Sequence, residues 1–323
     1  MKILRRGLVA LGIAFVLPGS AFAQAWPNKP IRMIVPYTPG GYTDLMARTV
    51  GQKLSEALGQ PFIFENRPGA NAIIGTDVVA KATPDGYTFG TVIAAHAVNA
   101  TLNPKLPYDT LKDFSYVSLM SVAPLIMIAH PSLPANNVQE LIALAKQKPG
   151  ELNFASSGVG AAAHLTMEMF KSRAGIDMQH VPYKGTAGAL QDTVGGRINV
   201  MFDVVGPLMP QVKAGNAKAL VVTAKERIPA APDVPTMGEQ GVADFISGTW
   251  AGIIAPAGTP KEIVDRVSTE VQKAMRDPAV REKLAEQGIV PVGNTPDEYR
   301  AFVVDEVARW AKVIKDANIK MGE

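Results

Sequence analysis

The stretch Pro30-Ile31-Arg32-Met33-Ile34-Val35-Pro36-Tyr37-Thr38-Pro39-Gly40-Gly41-Tyr42-Thr43-Asp44 decides how the chain is read. Ile31 to Tyr37 has the content of a buried strand, and the Pro-Gly-Gly that follows is a turn. Apolar residues then return at helical spacing through Met46, Val50, Leu54 and Leu58, and Gly59 ends the run. A strand, a glycine turn and a helix in this order aim the first N–H groups of the helix past the carboxyl end of the strand. Those donors lack intrahelical partners and lie at the positive end of the helix dipole, so the spot favours an anion. The two glycines allow unusual dihedrals and close approach of a ligand. Thr43 or Asp44 is placed to cap or charge-balance the helix start. No G-K-[ST] follows, which excludes a phosphate-binding P-loop.

Upstream of this unit, residues 1 to 23 read as a signal peptide. Lys2, Arg5 and Arg6 form a positive start, Gly7 to Leu17 an apolar core, and Ala21-Phe22-Ala23 a cleavage site before Gln24. The core is shorter than the roughly 20 residues of a membrane-spanning helix. The chain has 32 Lys+Arg against 29 Asp+Glu, and loss of the leader leaves 29 of each. A formally neutral mature protein gives no support to nucleic-acid or polybasic membrane binding. With no cysteine at all, disulfides, thiolate nucleophiles, Cys-based metal sites and a lipidated cysteine are excluded. The expected location is the periplasm, with cleavage after Ala23.

The rest alternates strand and helix patterns, the mark of an α/β protein. Strands are predicted at 61–65, 87–93, 125–129, 152–155, 179–183, 199–202, 219–223 and 250–255. Helices are predicted at 73–82, 138–146, 161–173, 187–194, 207–214, 260–276 and 295–317. About 300 mature residues exceed one ordinary core, and two lobes are expected, with the chain crossing between them. Lobe 1 is assigned residues 24–124 plus 247–323, and lobe 2 residues 125–246.

Three further turns lie at predicted strand ends. Ser156-Ser157-Gly158-Val159-Gly160-Ala161-Ala162-Ala163-His164 offers hydroxyls, small residues and a second helix start. Its Gly158-x-Gly160-x-x-Ala163 also fits a dinucleotide fingerprint, a weak signal in an exported chain, and no cofactor is expected. Val181-Pro182-Tyr183-Lys184-Gly185-Thr186 brings Lys184 as a positive charge for a carboxylate. Asp203 ends the Val200–Phe202 strand where a cleft residue would sit, suited to a ligand hydroxyl or amine, or to water. The four histidines (His96, His130, His164, His180) show no metal-ligand spacing. His96 and His164 fall in candidate binding turns. Arg67 is read as structural, and Trp250 as core or inter-lobe packing.

These segments in sequence resemble the extracytoplasmic solute receptors of tripartite tricarboxylate transporters, the Bug receptor family. The resemblance rests on Ile34-Val35-Pro36-Tyr37-x-Pro39-Gly40-Gly41-x-x-Asp44, Glu65-Asn66-Arg67-Pro68-Gly69-Ala70, Pro84-Asp85-Gly86-Tyr87-Thr88 and Pro107-Tyr108-Asp109. It continues through Ser156-Ser157-Gly158-x-Gly160 with His164-Leu165, Val181-Pro182-Tyr183-Lys184-Gly185, Pro232-Asp233-Val234-Pro235-Thr236 and Pro256-Ala257-Gly258-Thr259-Pro260. Single motifs are weak, but their common order over nearly the whole mature chain is specific.

The resemblance implies a type II-like periplasmic-binding-protein fold, each lobe a mixed sheet flanked by helices, closing on ligand like a clamshell. It implies a monomeric, non-catalytic receptor that passes a mono-, di- or tricarboxylate to membrane permease subunits. The ligand-binding set expected is Thr38, Gly40, Gly41, Tyr42, Asp44, Ser156, Ser157, Gly160, Ala163, His164, Lys184 and Asp203 on this basis, with His96 added from its turn-like setting alone. Tyr42 stands where the family often has a smaller or non-aromatic residue, which bears on ligand size. The competing readings are an exported hydrolase, for which no nucleophile–base spacing is present, and a receptor of another importer class.

Overall fold

The computed structural model describes residues 26–183, 185–316 and 319. The leader and its cleavage site, Lys184 and Ala317 lie outside them. In chain order the first elements are β1 (Ile31–Val35), α1 (Tyr42–Leu58), β2 (Phe62–Asn66), α2 (Ile73–Ala80), β3 (Thr88–Ile93) and α3 (Ala95–Leu102). The middle runs β4 (Phe114–Ala129), α4 (Val138–Gln147), β5 (Asn153–Ser156), α5 (Ala162–Ala174), β6 (Gln179–Pro182), α6 (Thr186–Val194), β7 (Val200–Val204), α7 (Val205–Lys213) and β8 (Lys218–Val222). The chain returns through β9 (Gly248–Pro256), α8 (Lys261–Arg276), α9 (Pro278–Glu286), β10 (Val290–Pro291) and α10 (Pro296–Asp316).

The strands form one curled, mixed sheet in the order β2-β1-β3-β9-β4-β7-β5-β6, with β8 and β10 also on β4. The parallel pairs β1–β2, β1–β3, β5–β6 and β5–β7 come from strand-helix-strand crossovers, the connection that puts helices over a sheet. β4 holds the two halves of the sheet together. From Phe114 to Pro124 it pairs antiparallel with β9, and from Leu125 to Ala129 with β7. β8 takes its other edge from Ile126 to Ala129.

Where β4 changes partners, Thr223 ties the crossing segments. Its hydroxyl accepts the Leu125 N–H at 2.8 Å and donates to the Ser247 carbonyl at 2.6 Å. The Ser247 N–H returns to the Thr223 carbonyl at 3.2 Å, and the Ser247 and Thr166 hydroxyls meet at 2.6 Å. Thr223 is fully buried, so each of these polar groups needs the other.

Most predicted elements form, because their apolar faces are real. Met46, Val50 and Leu54 on α1 are fully buried, and Val267 and Val271 do the same on α8. Four elements were not expected, among them the two-residue β10, which exists only by pairing with β4. The first two-thirds of β4 carries Ser115, Ser118, Ser121 and Pro124, which break the apolar run. Pairing with β9, bulged at Tyr116/Ser118 and Leu119/Ser121, makes it a strand regardless. Helix α3 has Asn99 and small residues and no side-chain cap. Helix α9 did carry a legible start, since Asp277 accepts from the Ala279 and Val280 N–H groups and Pro278 opens the helix.

Trp250 is core, as read. Its indole N–H donates to Glu306 Oε2 at 2.9 Å, and that oxygen also takes the Trp310 N–H at 2.8 Å. Arg309 holds the other carboxylate oxygen at 2.8 Å. Glu306→Leu strands two buried indole donors, which predicts a loss of roughly 3 kcal/mol in urea unfolding. Glu306→Gln, which keeps an acceptor, loses about 1 kcal/mol. Equal stability of the two variants would disprove the shared-acceptor role.

Candidate functional site

The turn after β1 is built around Asp44. Its Oδ2 accepts the Gly40 N–H at 3.1 Å and Arg48 Nε at 2.9 Å, and its Oδ1 accepts Asn66 Nδ2 at 3.0 Å. The same Asn66 amide nitrogen also donates to the Tyr37 carbonyl at 2.9 Å. Burial opposes ionisation of Asp44, but the hydrogen bonds from Arg48, Asn66 and Gly40 and the charge of Arg48 outweigh it. The carboxyl is held below its usual range. Gly40 has φ of 86°, a left-handed value that suits glycine. Gly41 is the N-cap of α1 in extended conformation, with no side-chain cap.

The other half of the sheet answers with three similar starts. The N-caps of α5 (Ala161), α6 (Gly185) and α7 (Val204) also lack side-chain caps. All four helix starts open on one cavity of about 380 Å³. Its walls include Thr38 and Gly40 to Thr43 from the first turn, Ser157 and Ala161 to Ala163 before and within α5, and Gly185 to Ala187 at α6. Asp203, Val204 and Pro207 at α7, with Leu125 and Thr249 beside the β4 crossing, complete it. Among the described wall residues, Tyr37, Tyr42 and Asp203 are the only ionisable ones. The positive potential is therefore main-chain in origin, each N-terminus being equivalent to about half a unit charge. Away from the cavity, α4 is capped by Asn137, while α2, α3 and α8 also lack side-chain caps, so what sets the four starts apart is their convergence.

Asp203 accepts from the Thr186 hydroxyl at 2.7 Å and from the Val204 N–H at 2.8 Å. Burial drives its carboxyl up, only partly offset by these two bonds. Tyr42 is a wall of the cavity by its ring, while its hydroxyl turns inward to Ser121 Oγ at 2.9 Å. Burial raises that phenol far above its ordinary value. Behind Tyr42 lies a second cavity of about 480 Å³, lined by Arg48, Gln52, Lys283 and Gln287 and sharing Gly40, Gly41 and Pro207 with the first.

Thr38, Gly40, Gly41, Tyr42, Ser157, Ala163 and Asp203 thus come together around one space. Five expected residues do not line it. Asp44 faces the second cavity and spends its oxygens on the turn. His96 is a correction: it lies on α3 with its ring 5.1 Å from Phe114 and 6.1 Å from Tyr108, buried because that aromatic cluster packs around it. Gly160 is another: a Cβ there would come within 2.7 Å of Leu102 and 2.9 Å of Asn71, so the residue closes against α3 and the turn before α2. That turn, Ala70 to Ala72, holds three successive non-glycine residues at φ of 47°, 49° and 73°, and Asn99 braces it with an amide bond to the Asn71 carbonyl at 2.9 Å.

Ser156 and His164 stand behind the loop instead of in the cavity. Ser156 Oγ lies 2.7 Å from His180 Nε2, a nucleophile–base distance, but the serine is fully buried and its oxygen also braces Gly158 at 3.0 Å. The wall residues that sequence reasoning missed are chiefly Thr186, Leu190, Leu125 and Thr249. Thr249 Oγ1 is buried without a partner. No local signal marks it, because it reaches the cavity by pairing with Ala123 across the sheet.

His96, His164 and His180 are all pushed down, to about 3, about 3 and about 4. Burial is the first cause in each case; His180 and Lys171 add to it at His164, and Lys171 at His180. Each is neutral in the folded protein at pH 6 while its unfolded counterpart, near 6.5, takes up a proton. Stability is full above about pH 6.5 and falls as pH drops toward about 4, by about 1.4 kcal/mol per pH unit for each proton. Urea midpoints between pH 7 and pH 4.5 should show this fall, and His96→Gln should reduce the slope by about one proton. A slope unchanged by that substitution would count against a neutral buried His96.

Among the described residues no helix is long and apolar enough to cross a membrane. A profile described as tripartite tricarboxylate transporter family receptor matches residues 46–319. The chain is 38% identical over 321 residues to protein BugT of Bordetella pertussis, covering 98% of both. It superposes with a TM-score of 0.88 on a structure of R. palustris Rpa4515 with adipate, at 37% identity, covering 91% of this chain and 99% of that one. A structure of MatC from Rhodopseudomonas palustris with bound malate gives 0.83 at 33% identity, covering 90% and 100%.

Proposed function

The chain belongs to the tripartite tricarboxylate transporter receptor family, and on that premise we propose that its inner cavity captures a small organic carboxylate for delivery to membrane permease subunits. The family is one of solute-binding receptors, not enzymes, and its structural relatives are periplasmic binding proteins. The observation that carries the proposal is the meeting of four helix N-termini without side-chain caps around a cavity whose described walls hold no Lys or Arg. Four such ends sum to about two positive charges, enough to hold a carboxylate or a diacid without a basic side chain. The diacids in the Rpa4515 and MatC structures are of a size that such a cavity takes.

In this reading the first carboxylate group sits between Thr38 to Tyr42 and Ser157 to Ala163. Thr249 supplies a free hydroxyl, Thr186 keeps its own on Asp203, and Asp203 accepts from a ligand hydroxyl or amine or holds a water. Lys184, outside the described residues, is proposed from the sequence alone to add a positive charge. The sheet halves act as two lobes, residues 24–124 with 247–323 and residues 125–246. They flex where Thr223 ties Leu125 to Ser247. Support for approach of the lobes comes from Gly185, whose added Cβ would lie 3.6 Å from Thr38 Oγ1. The receptor is exported, cleaved after Ala23, and works as a periplasmic monomer.

The direct test is thermal unfolding against mono-, di- and tricarboxylates. A ligand at 100 times its Kd should add about 2.7 kcal/mol, with no turnover of the ligand. Stabilisation by sugars or amines and by no carboxylate would sink the assignment.

Gly41→Val supplies the local test. Gly41 is extended and a Cβ there meets nothing within 4 Å, so valine fits the fold and its methyl groups occupy the cavity. The variant should fold, with about 1 kcal/mol lost because valine is a poorer N-cap than glycine, and lose carboxylate binding by at least about tenfold. Parent-like affinity in folded Gly41→Val would remove the carboxylate from this turn.

A further inference from the structure

Two imidazoles lie stacked behind the Ser156–Ala161 turn, with ring centroids 4.0 Å apart and planes 12° from parallel. Phe154 closes the stack beneath His180 at 4.8 Å. The Gly160 N–H donates to His164 Nδ1 at 3.1 Å. That nitrogen is therefore unprotonated, and the His164 proton resides on Nε2, which faces Glu168 Oε1 at 3.9 Å. Ser156 Oγ donates to the Gly158 carbonyl at 3.0 Å, accepts the Gly158 N–H at 3.2 Å, and lies 2.7 Å from His180 Nε2. The short contact fits either proton arrangement; placing the serine proton on Gly158 makes His180 Nε2–H the donor, and imidazole ¹⁵N shifts decide between them.

We propose that His164 and His180 are positioning residues for ligand capture: as a neutral stacked pair they fix the Ser156–Ala161 turn, and with it the donors at the start of α5, without touching the ligand. This rests on the reading of the α5 start as one side of the carboxylate site. The turn needs such a brace because Gly158 and Gly160 have φ of 145° and 78°, conformations with no local preference for one shape. Gly160 also contacts α3 across the cleft, so the brace sets the docking face of the opposing half as well.

The arrangement is sensitive to acid in a defined way. The single site left for a second proton on His164 is Nδ1, the atom that accepts the Gly160 N–H. The ionisable groups around it are His180 from β6 and Glu168 and Lys171 from α5, with Lys171 paired to Glu168 at 2.9 Å. Protonation breaks the bond to Gly160 and places like charges in the stack and beside Lys171. Burial, with these neighbours, delays that event to about pH 3 for His164 and about pH 4 for His180.

The test uses the full mature chain, ¹⁵N-labelled, with adipate as the probe. Without ligand, imidazole ¹⁵N shifts at pH 7 should report both rings as neutral Nε2–H tautomers, and the Gly160 amide should be protected from exchange. His164→Asn, whose amide oxygen replaces Nδ1 as acceptor, should keep that protection and bind adipate within about threefold of the parent. His164→Leu, of similar bulk and no acceptor, should lose the protection and about tenfold or more in affinity. Between about pH 5 and pH 3 adipate's own carboxyls take up protons, so affinity should fall in parent and His164→Asn alike. The parent should show an additional loss, read as the ratio of parent Kd to variant Kd growing as pH drops while the folded far-ultraviolet signal persists.

An Nδ1–H tautomer, a ring titrating near pH 6.5, or an unprotected Gly160 amide in the parent would each overturn the proposal. So would unchanged Gly160 protection in folded His164→Leu. If that variant does not fold, the parent tautomers and the Asn variant decide. If adipate does not bind the parent, the ligand reading fails while the ligand-free tautomer and exchange results still judge the brace.

Discussion

The exchange of partners along one strand governs the rest of the molecule. Up to Pro124, β4 belongs to the β9 side of the sheet, and from Leu125 it belongs to β7 and β8. A sheet split this way needs its freed backbone groups satisfied at the split, which is the work of Thr223 and Ser247. Because those bonds link β4 to the strand that returns, both crossings lie side by side. The strand ends of the two sheet halves then face each other, and helices α1, α5, α6 and α7, which follow those strands, all begin near one point.

That convergence gives the cavity a positive potential without a basic side chain among its described walls. A buried carboxylate with no partner costs several kcal/mol. Arginine is one way to meet that cost, and oriented N–H groups are another. Here the acidic group nearest the first turn, Asp44, is occupied by Gly40, Arg48 and Asn66, so its charge is neutralised locally. Asp203 stays on the wall, with burial favouring its neutral form. The wall therefore pairs main-chain donors with one buried carboxyl whose ionisation burial opposes.

Much of this was legible in the residues. Pro39-Gly40-Gly41 before an apolar helical run specifies both the turn and the N-terminal donors, because glycine and helix periodicity are local signals. Asp203 was legible from its place at the end of a buried strand. His96 was misleading for a physical reason: its sequence neighbours are turn-like, but Tyr108, Phe114 and Tyr116 enclose it from elements remote in the chain. Thr249 and the first part of β4 were hidden because pairing across the sheet, not local composition, makes them what they are. Gly160 looked like a ligand contact, since a glycine placed for close approach does not say what approaches it.

The main-chain character of the cavity has a consequence for how such a protein changes over generations. A donor that belongs to the backbone survives every substitution that leaves the helix start intact. Side chains around it, such as Tyr42, Leu190 and Thr249, are then free to vary one at a time while the grip on a common chemical group persists. On the proposed reading of the cavity, recognition of the shared group and choice among its bearers fall to separate parts of the chain. A gene duplicate can drift toward a new solute without first passing through a form that binds nothing.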